Sequence, residues 1–393
     1  MNALPHAIWQ DRTGLAALLD ALDVEQGCVR YVGGAVRDTL LGIDVHDVDL
    51  ATQFAPDDVL ARLSAAGIKA IPTGLAHGTI TGVLPDGPIE ITTLRCDVAT
   101  DGRHATIAYT DDWQVDAARR DFTINALSCD PITREIFDYF GGFADLSAGR
   151  VAFIGDPLTR IAEDHLRILR FFRFQGRFGR GAPDQSALTA CAARANDLMA
   201  LSRERIADEL LKILGLPNPL PVLDLMLKNG ILVPVLPEIN ATRGLANLLT
   251  AEAAVGEHPA ALRRLAALLP PDSELAERIG ARLKLSKAQR KHLALLAGRI
   301  ASDVGDPRAL AYYVGVAAAT DRLLLAGHPG EILRDWSPPK LPLSGGELVA
   351  RGLVAGPTVA ATLREIERAW VDAGFVDGSA LEQIVAAAIA RVS

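Results

Sequence analysis

The sequence predicts an α+β protein, with a mixed sheet at the N-terminal end and a remainder made only of helices. Three observations lead there. Up to about residue 145, short β-type runs mix with helical stretches and are punctuated by Gly, Pro and Asp. After about Asp156 strand signals nearly vanish and Ala/Leu-rich helical patterns take over. The chain has 393 residues, 49% of them apolar, enough for two to four domains at roughly 100–200 residues each. The texture divides it into a head (1–148), a helical neck (149–217) and a helical body and tail (218–393).

In order along the head, Leu15–Leu22 reads as a helix, Cys28–Val32 as a strand, Ala35–Leu41 as a helix and Val45–Leu50 as a strand. Pro56–Ala66 is helical, and Gly78–Val83, Ile89–Leu94 and Ile136–Tyr139 are strands. Beyond the head, helical patterns are broken at Gly179–Pro183, Gly215–Pro221, Pro234–Pro237, Pro270–Pro271, Gly305–Pro307 and Pro338–Gly346. Leu201–Leu214 is amphipathic, with Ser202 placed as an N-cap. The longest apolar run, Ala309–Thr320, is about half the roughly 20 residues needed to cross a bilayer and reads as a buried helix.

The formal charge is −8. That excludes an indiscriminate nucleic-acid coat protein, although an enzyme acting on nucleic acid needs positive charge only where it binds. Cys28, Cys96, Cys129 and Cys191 are widely spaced and lack CxxC spacing, so neither a zinc site nor a disulfide framework is expected. No basic segment followed by an apolar run opens the chain. A reducing cytosol is the expected compartment, with no membrane and no obligate protein partner.

The first chemically informative stretch is Tyr31-Val-Gly-Gly-Ala-Val-Arg-Asp38. A β-run ends at Val32, and Gly33 and Gly34 let the backbone approach a ligand before the helix starts. Arg37 lies one turn in and could offer a charged fork to phosphate. Taken alone, this is equally an ordinary strand-to-helix turn. It lacks the glycine spacing of a dinucleotide fold, which removes a nicotinamide oxidoreductase, and the Gly-Lys-Ser/Thr of a P-loop. Asp47-Val-Asp49 follows on the next strand. Period-2 geometry puts both carboxylates on one face, roughly 6–7 Å apart at Cα. Two such charges repel unless a cation sits between them, and oxygen-only ligands suit Mg²⁺ with substrate phosphates. Glu90, flanked by Ile89 and Ile91, repeats the apolar–acid–apolar pattern. It is either a third metal carboxylate or a surface ion-pair partner.

This combination resembles the nucleotidyltransferase head of the DNA polymerase β superfamily. Arg119-Arg-Asp-Phe-Thr-Ile-Asn-Ala-Leu127 then closely resembles a motif of class II tRNA nucleotidyltransferases and bacterial poly(A) polymerases. The paired arginines suit a triphosphate, and Asp121 and Asn125 would bind ribose hydroxyls or orient the arginines. Glu163-Asp164-His-Leu-Arg167 resembles the base-reading motif of the same family. On a helix Asp164 and Arg167 would be i,i+3 neighbours. The carboxylate accepts and the guanidinium donates. Cytosine and adenine each offer an amino donor beside a ring-nitrogen acceptor, whereas guanine and uracil put a carbonyl oxygen where the amino group should be. One such couple therefore takes C and A and rejects G and U. Glu163 would hold Arg167 in place. Arg170 and Arg173 suit phosphate or RNA, Arg173 being equally a salt-bridged surface residue. Between Arg160 and Arg180 six Arg face two acids, a local charge of +4. Phe171, Phe172 and Phe174 read as core.

Leu94-Arg-Cys-Asp-Val-Ala-Thr-Asp-Gly-Arg-His-Ala105 resembles a segment of mitochondrial-type and α-proteobacterial-type CCA-adding enzymes, where it begins a flexible loop needed to switch from C to A addition. His104 reads as a loop hydrogen-bonding residue. Leu201–Leu214 resembles the family's helix-stabilising segment. Arg282, Lys284, Lys287, Arg290 and Lys291 form a cationic run that is either a tRNA-phosphate contact or a solvated face.

The resemblance implies template-independent addition of CCA to tRNA 3′ ends from CTP and ATP, by attack of a 3′-hydroxyl on the α-phosphorus with pyrophosphate leaving. Two Mg²⁺ ions would activate the attacker and steady the leaving group. Asp47, Asp49 and Glu90 are the catalytic candidates, the first two binding metal. The nucleotide candidates are Gly33, Gly34, Arg37, Arg119, Arg120, Asp121, Asn125, Asp164, Arg167, Arg170 and Arg173. The alternatives are a poly(A) polymerase, an enzyme adding only part of CCA, and a non-catalytic RNA-binding protein on the same fold.

Overall fold

A computed structural model describes residues 3–100 and 105–392. The described residues form two compact units, Met1–Ile213 with Leu225–Val235, and Leu214–Asp224 with Leu236–Ser393.

The strands of the first unit are β1 (Val29–Val32), β2 (Asp49–Thr52), β3 (Lys69–Gly74), β4 (Thr79–Leu84), β5 (Gly87–Thr93), β6 (Arg95–Thr100), β7 (Ala105–Tyr109), β8 (Ser128–Cys129) and β9 (Ile136–Phe137). Seven of them make one sheet in the order β3-β4-β5-β2-β1-β8-β9, and β6 and β7 pair separately. The seven-stranded sheet is mixed because β2 and β5 run parallel while its other pairs are antiparallel. The parallel register sets Asp49 beside Glu90. Val29, Tyr31, Leu50, Ile80, Ile89 and Ile91 are buried, so the sheet carries the core of the head.

The helices of this unit are α1 (Leu15–Ala21), α2 (Gly34–Leu40), α3 (Pro56–Ala65), α4 (Trp113–Ala118), α5 (Gly142–Ala148), α6 (Pro157–Glu163), α7 (Arg167–Phe178), α8 (Gln185–Ala193) and α9 (Arg203–Leu214). Leu18, Val59 and Leu63 from α1 and α3 are fully buried. Phe171 and Phe172 of α7 are buried beside Phe122 and Phe153, with ring centroids of Phe122 and Phe153 4.9 Å apart. The aromatic run of the neck is therefore core.

Several expectations shift. The strand expected over Val45–Leu50 joins the sheet only at Asp49, so Asp47 precedes the ladder. The face alternation nevertheless holds, with Val48 and Leu50 buried and Asp47 exposed. Strand β3 gives no sequence signal because it is a mostly exposed edge, and Pro72 falls where its register shifts. Strand β8 is two residues long, too short for a pattern. The helix expected over Ala309–Thr320 is two helices, Pro307–Val314 and Val316–Leu325, parted at Gly315 with φ of 88°. Asp101–His104, within the segment that resembles the C-to-A switching loop, lie outside the described residues.

The second unit is helical among its described residues. A buried ionic cluster lies in it. The Glu252 carboxylate accepts from Arg263 Nε at 2.9 Å and from Arg264 Nη2 at 2.8 Å. Arg263 also reaches Asp321 at 2.7 Å, and Arg264 donates to the Leu214 carbonyl at 2.8 Å. In the cationic run, Arg282 pairs with Glu238 at 2.6 Å and Arg290 pairs with Glu277, acids outside the local sequence. Among the described residues no helix is long and apolar enough to cross a membrane.

Replacing Glu252 by Ala leaves two buried guanidiniums short of a counter-charge. We expect a loss of about 3–5 kcal/mol in urea unfolding of the full chain, with Glu252→Gln losing less because it retains an acceptor.

Candidate functional site

Strand β1 ends at the two glycines because the chain must turn sharply into α2. Gly33 has φ of 64°, and a Cβ built on it would stand 2.9 Å from Arg120 Nη1. Only glycine fits there without moving that arginine. Helix α2 has seven residues, so its dipole is short and the positive charge of the site comes chiefly from guanidiniums. These line a cavity of about 360 Å³ in the first unit.

One wall of the cavity is Gly33, Gly34 and Arg37. Asp49 stands beside them, Arg119, Arg120, Asp121 and Asn125 form a second side, and Asp164, Arg167, Arg170 and Phe174 close it. Eleven of these twelve residues are sequence candidates, and all are set in one concavity. Asp47 and Glu90 are exposed and lie outside the lining. Their charges still reach Asp49: burial first, then Glu90 and Asp47, push its carboxyl up to about 6, against the opposing pull of Arg120. Acidic oxygens under such repulsion fit a hard divalent cation. Among the described residues no group of three His, Cys, Asp or Glu side chains forms a ready metal cage. The arrangement suits a cation that substrate oxygens would complete.

The arginines are held, not loose. Arg119 Nε donates to Asp116 Oδ1 at 2.8 Å and Arg120 Nη2 to Asp116 Oδ2 at 3.5 Å. Burial raises the Asp116 carboxyl, but Arg119 and Arg120 outweigh it and hold it below the ordinary range. Asp116 was not among the sequence candidates, although its i,i+3 and i,i+4 spacing to the arginines was visible. Asp121 accepts from Arg170 Nε at 2.7 Å and from Asn125 Nδ2 at 2.8 Å. Burial opposes its ionisation, and Arg170 and Asn125 outweigh burial, lowering its pKa. Arg37 donates to Asp38 at 2.7 Å and to Asn125 Oδ1, with Phe178 4.3 Å from its guanidinium carbon. Asp121 and Asn125 thus brace Arg170 and Arg37, not the adjacent pair Arg119 and Arg120 that the sequence reading had them orient, which Asp116 holds. Most of the Arg37 fork is engaged by protein, so Arg37 lines the cavity as a braced cation.

The Glu163–Arg167 stretch departs from expectation. Helix α6 ends at Glu163, Asp164 is extended at φ −149° and ψ 106°, and α7 starts at Arg167. Asp164 and Arg167 therefore do not share one helix. Asp164 bridges the break, its Oδ1 accepting from Leu166 N at 3.0 Å and its carbonyl from Arg167 N at 3.0 Å. Both groups still face the one cavity. Glu163 does hold Arg167, by a direct ion pair. Arg167 Nη1 also donates to the Arg160 carbonyl at 2.8 Å, and Nη2 to the Arg119 carbonyl at 3.0 Å. Of five guanidinium N–H groups, one on Nη2 and that on Nε remain. Arg173 is a correction: its Nε donates to the buried Glu209 at 2.6 Å and it does not line the cavity. It belongs to the neck's internal ion pairing. Arg160 pairs locally with Glu163 at 2.9 Å, whereas Arg205 reaches Asp164 from 41 residues away and carried no local signal.

Comparison with known proteins fits this geometry. Residues 29–152 match the family model of the poly A polymerase head domain, and residues 182–242 match a probable RNA and SrmB-binding site of polymerase A. The mitochondrial CCA tRNA nucleotidyltransferase 1 of Mus musculus is 35% identical over 92% of this chain and 87% of its own length. Its Homo sapiens counterpart is 36% identical over 92% and 87%. Among solved structures, the Bacillus stearothermophilus CCA-adding enzyme in complex with CTP superposes with a TM-score of 0.72 at 26% identity, covering 96% of this chain and 97% of that one.

The raised carboxyl of Asp49 has a measurable sign. Unfolded, it ionises near 3.8, and in the fold near 6. Ionisation therefore costs native stability, with the cost absent below about pH 4 and complete above about pH 6. We expect Asp49→Asn to melt higher than the parent at pH 8 in EDTA, by on the order of 2 kcal/mol. The gap should close toward pH 4 and reverse on adding divalent cation, as differential scanning calorimetry would read.

Proposed function

The chain belongs to the CCA tRNA nucleotidyltransferase family, and from that premise we propose that it completes tRNA 3′ ends, adding C, C and A from CTP and ATP without a nucleic-acid template. The observation that carries this reading is that Asp164 and Arg167 open onto the same cavity as Asp49, Arg119 and Arg120. Base choice and phosphoryl transfer then take place on one bound nucleotide.

The chain's own groups divide the work. Arg119 and Arg120, splayed from Asp116, receive the triphosphate, with Gly33 and Gly34 letting it lie against backbone. Asp164 accepts the exocyclic amino hydrogen of cytosine or adenine, and the free donors of Arg167 meet the ring nitrogen. Uracil or guanine would set a carbonyl oxygen against a carboxylate, a mismatch that leaves both unpaired. Arg170, braced by Asp121, adds charge at the cavity wall. Asp47 and Asp49 would hold Mg²⁺, with Glu90 beside them as a third carboxylate. Mg²⁺ would supply Lewis-acid stabilisation of charge on the transferring phosphate. The tRNA 3′-hydroxyl attacks the α-phosphorus and pyrophosphate leaves, so one bond forms as another breaks.

In functional terms the head binds triphosphate, the neck reads the base, and the helical body and tail grip the tRNA. Four unpaired cysteines suit a reducing cytosol, and no obligate protein partner is required.

A labelled tRNA lacking CCA should gain two residues with CTP alone and a third once ATP is added, resolved on a sequencing gel. Long A-tails without C incorporation would defeat the proposal in favour of a poly(A) polymerase. Asp47→Ala and Asp49→Ala should each lower transfer by roughly a thousandfold, because metal stabilisation supplies several kcal/mol. Full activity in either variant would displace the assigned centre.

A further inference from the structure

Asp47 stands two residues before β2, on a run that has no regular structure from Ile43 to Val48. Asp44, His46 and Asp47 are exposed. Upstream, Ile43 N donates to the Asp38 carbonyl at 2.9 Å, and downstream Val48 is buried at 1% exposure. Between those two fixed points the run meets a side chain from the N-terminal segment. Arg12 Nη2 donates to the His46 carbonyl at 2.7 Å.

That bond acts on Asp47 through the peptide plane. The His46 carbonyl and the N and Cα of Asp47 belong to one planar unit, so holding the oxygen sets the direction in which Asp47 leaves the chain. Without it the plane can turn about the bonds on either side, and the Asp47 carboxylate turns with it. Arg12 is itself held at both ends. Three residues earlier Trp9 is buried, its Nε1 donating to Thr39 Oγ1 of α2 at 2.9 Å and its ring 4.7 Å from Tyr31 of β1. One residue later, Thr13 N donates to Asp86 Oδ2 at 2.7 Å, in the turn from β4 to β5. Strand β5 carries Glu90 and pairs with β2 at Asp49. Arg12 therefore ties the run that bears Asp47 to the same strands that place the other two carboxylates.

We propose that Arg12 is a positioning residue for the cation site, holding the His46–Asp47 peptide so that the Asp47 carboxylate stands where it can share a metal with Asp49. The inference rests on reading Asp47 as a metal ligand. Charge and positioning predict opposite signs here. A guanidinium near two aspartates repels a cation, so on charge alone its removal would tighten metal binding. As a positioning group, its removal loosens metal binding.

The test measures Mn²⁺ binding to the full chain, without nucleotide, from the loss of the free-ion electron paramagnetic resonance signal. Alongside it run the Mg²⁺ concentration for half-maximal CTP transfer to tRNA lacking CCA, kcat at saturating Mg²⁺, and a melting temperature. The proteins are the parent, Arg12→Ala, Arg12→Lys and Asp47→Ala. Arg12→Ala should weaken Mn²⁺ binding and raise the Mg²⁺ half-point by about tenfold, the scale of one hydrogen bond from a charged donor. Its kcat at saturating Mg²⁺ should stay near the parent value, because excess metal draws the carboxylate back. Arg12→Lys, which keeps a charged donor, should recover part of the affinity. A lower melting temperature with unchanged or tighter metal binding in Arg12→Ala would overturn the role of Arg12 and leave Asp47 in its own. Unchanged Mn²⁺ binding in Asp47→Ala would remove Asp47 from the metal site and this inference with it. Should Arg12→Ala melt too early to assay, Arg12→Lys and Arg12→Met carry the comparison: weaker binding in Met than in Lys supports the proposal, and equal or tighter binding in Met refutes it.

Discussion

The site depends on two guanidiniums that end on main-chain carbonyls. Arg167 donates to the carbonyl of Arg119, and Arg160 to that of Arg120 at 2.7 Å. These bonds lock the stretch that carries Asp164 and Arg167 to the loop that carries Arg119 and Arg120. Charged donors make stronger hydrogen bonds than neutral ones, and here they are drawn out of bulk solvent, Arg167 being 9% exposed. On the proposed reading, the distance between where a base is read and where its triphosphate is held is thereby a property of the fold. A nucleotide satisfying one end is presented to the other at a fixed spacing, the positional economy on which transfer between oriented reactants relies.

Around that joint each cation has an assigned anion. Asp116 divides its carboxylate between Arg119 and Arg120, Asp121 takes Arg170, and Asp38 takes Arg37 at 2.7 Å and Arg177 at 3.2 Å. An acidic protein can therefore concentrate arginines in one small cavity without the repulsion tearing it open. The acids also leave particular donors free, so the pocket presents an ordered set of hydrogen bonds as well as positive potential. Asp49 is the exception. Burial, Glu90 and Asp47 act against its charge and Arg120 offsets only part of that, which is the environment the proposed cation would relieve.

Much of this was legible in the sequence, for reasons that differ by residue. Gly33, Gly34, Asp47 and Asp49 could be read because strand and helix periods convert sequence spacing directly into faces. Arg119, Arg120, Asp164 and Arg167 were legible through resemblance to a known family. The helix break at Asp164 was not, because Glu163-Asp164-His165-Leu166-Arg167 contains neither Gly nor Pro and has the spacing of a continuous helix. Only the extended backbone of Asp164 and its side chain's bond to Leu166 N reveal the break. Arg173 was ambiguous for a related reason: its partner Glu209 lies 36 residues away and comes near only when α7 and α9 pack. Arg205 was hidden in the same way, inside a segment whose amphipathic pattern accounts for its helix and says nothing of its polar edge.

The missing side chain at Gly33 has a geometric corollary. Arg120 rests against bare backbone there, and even one methyl group would collide with its terminal nitrogen. The left-handed backbone at Gly33, with φ of 64°, adds its own strain to any larger residue, so the bare backbone there sets how closely that cation can approach.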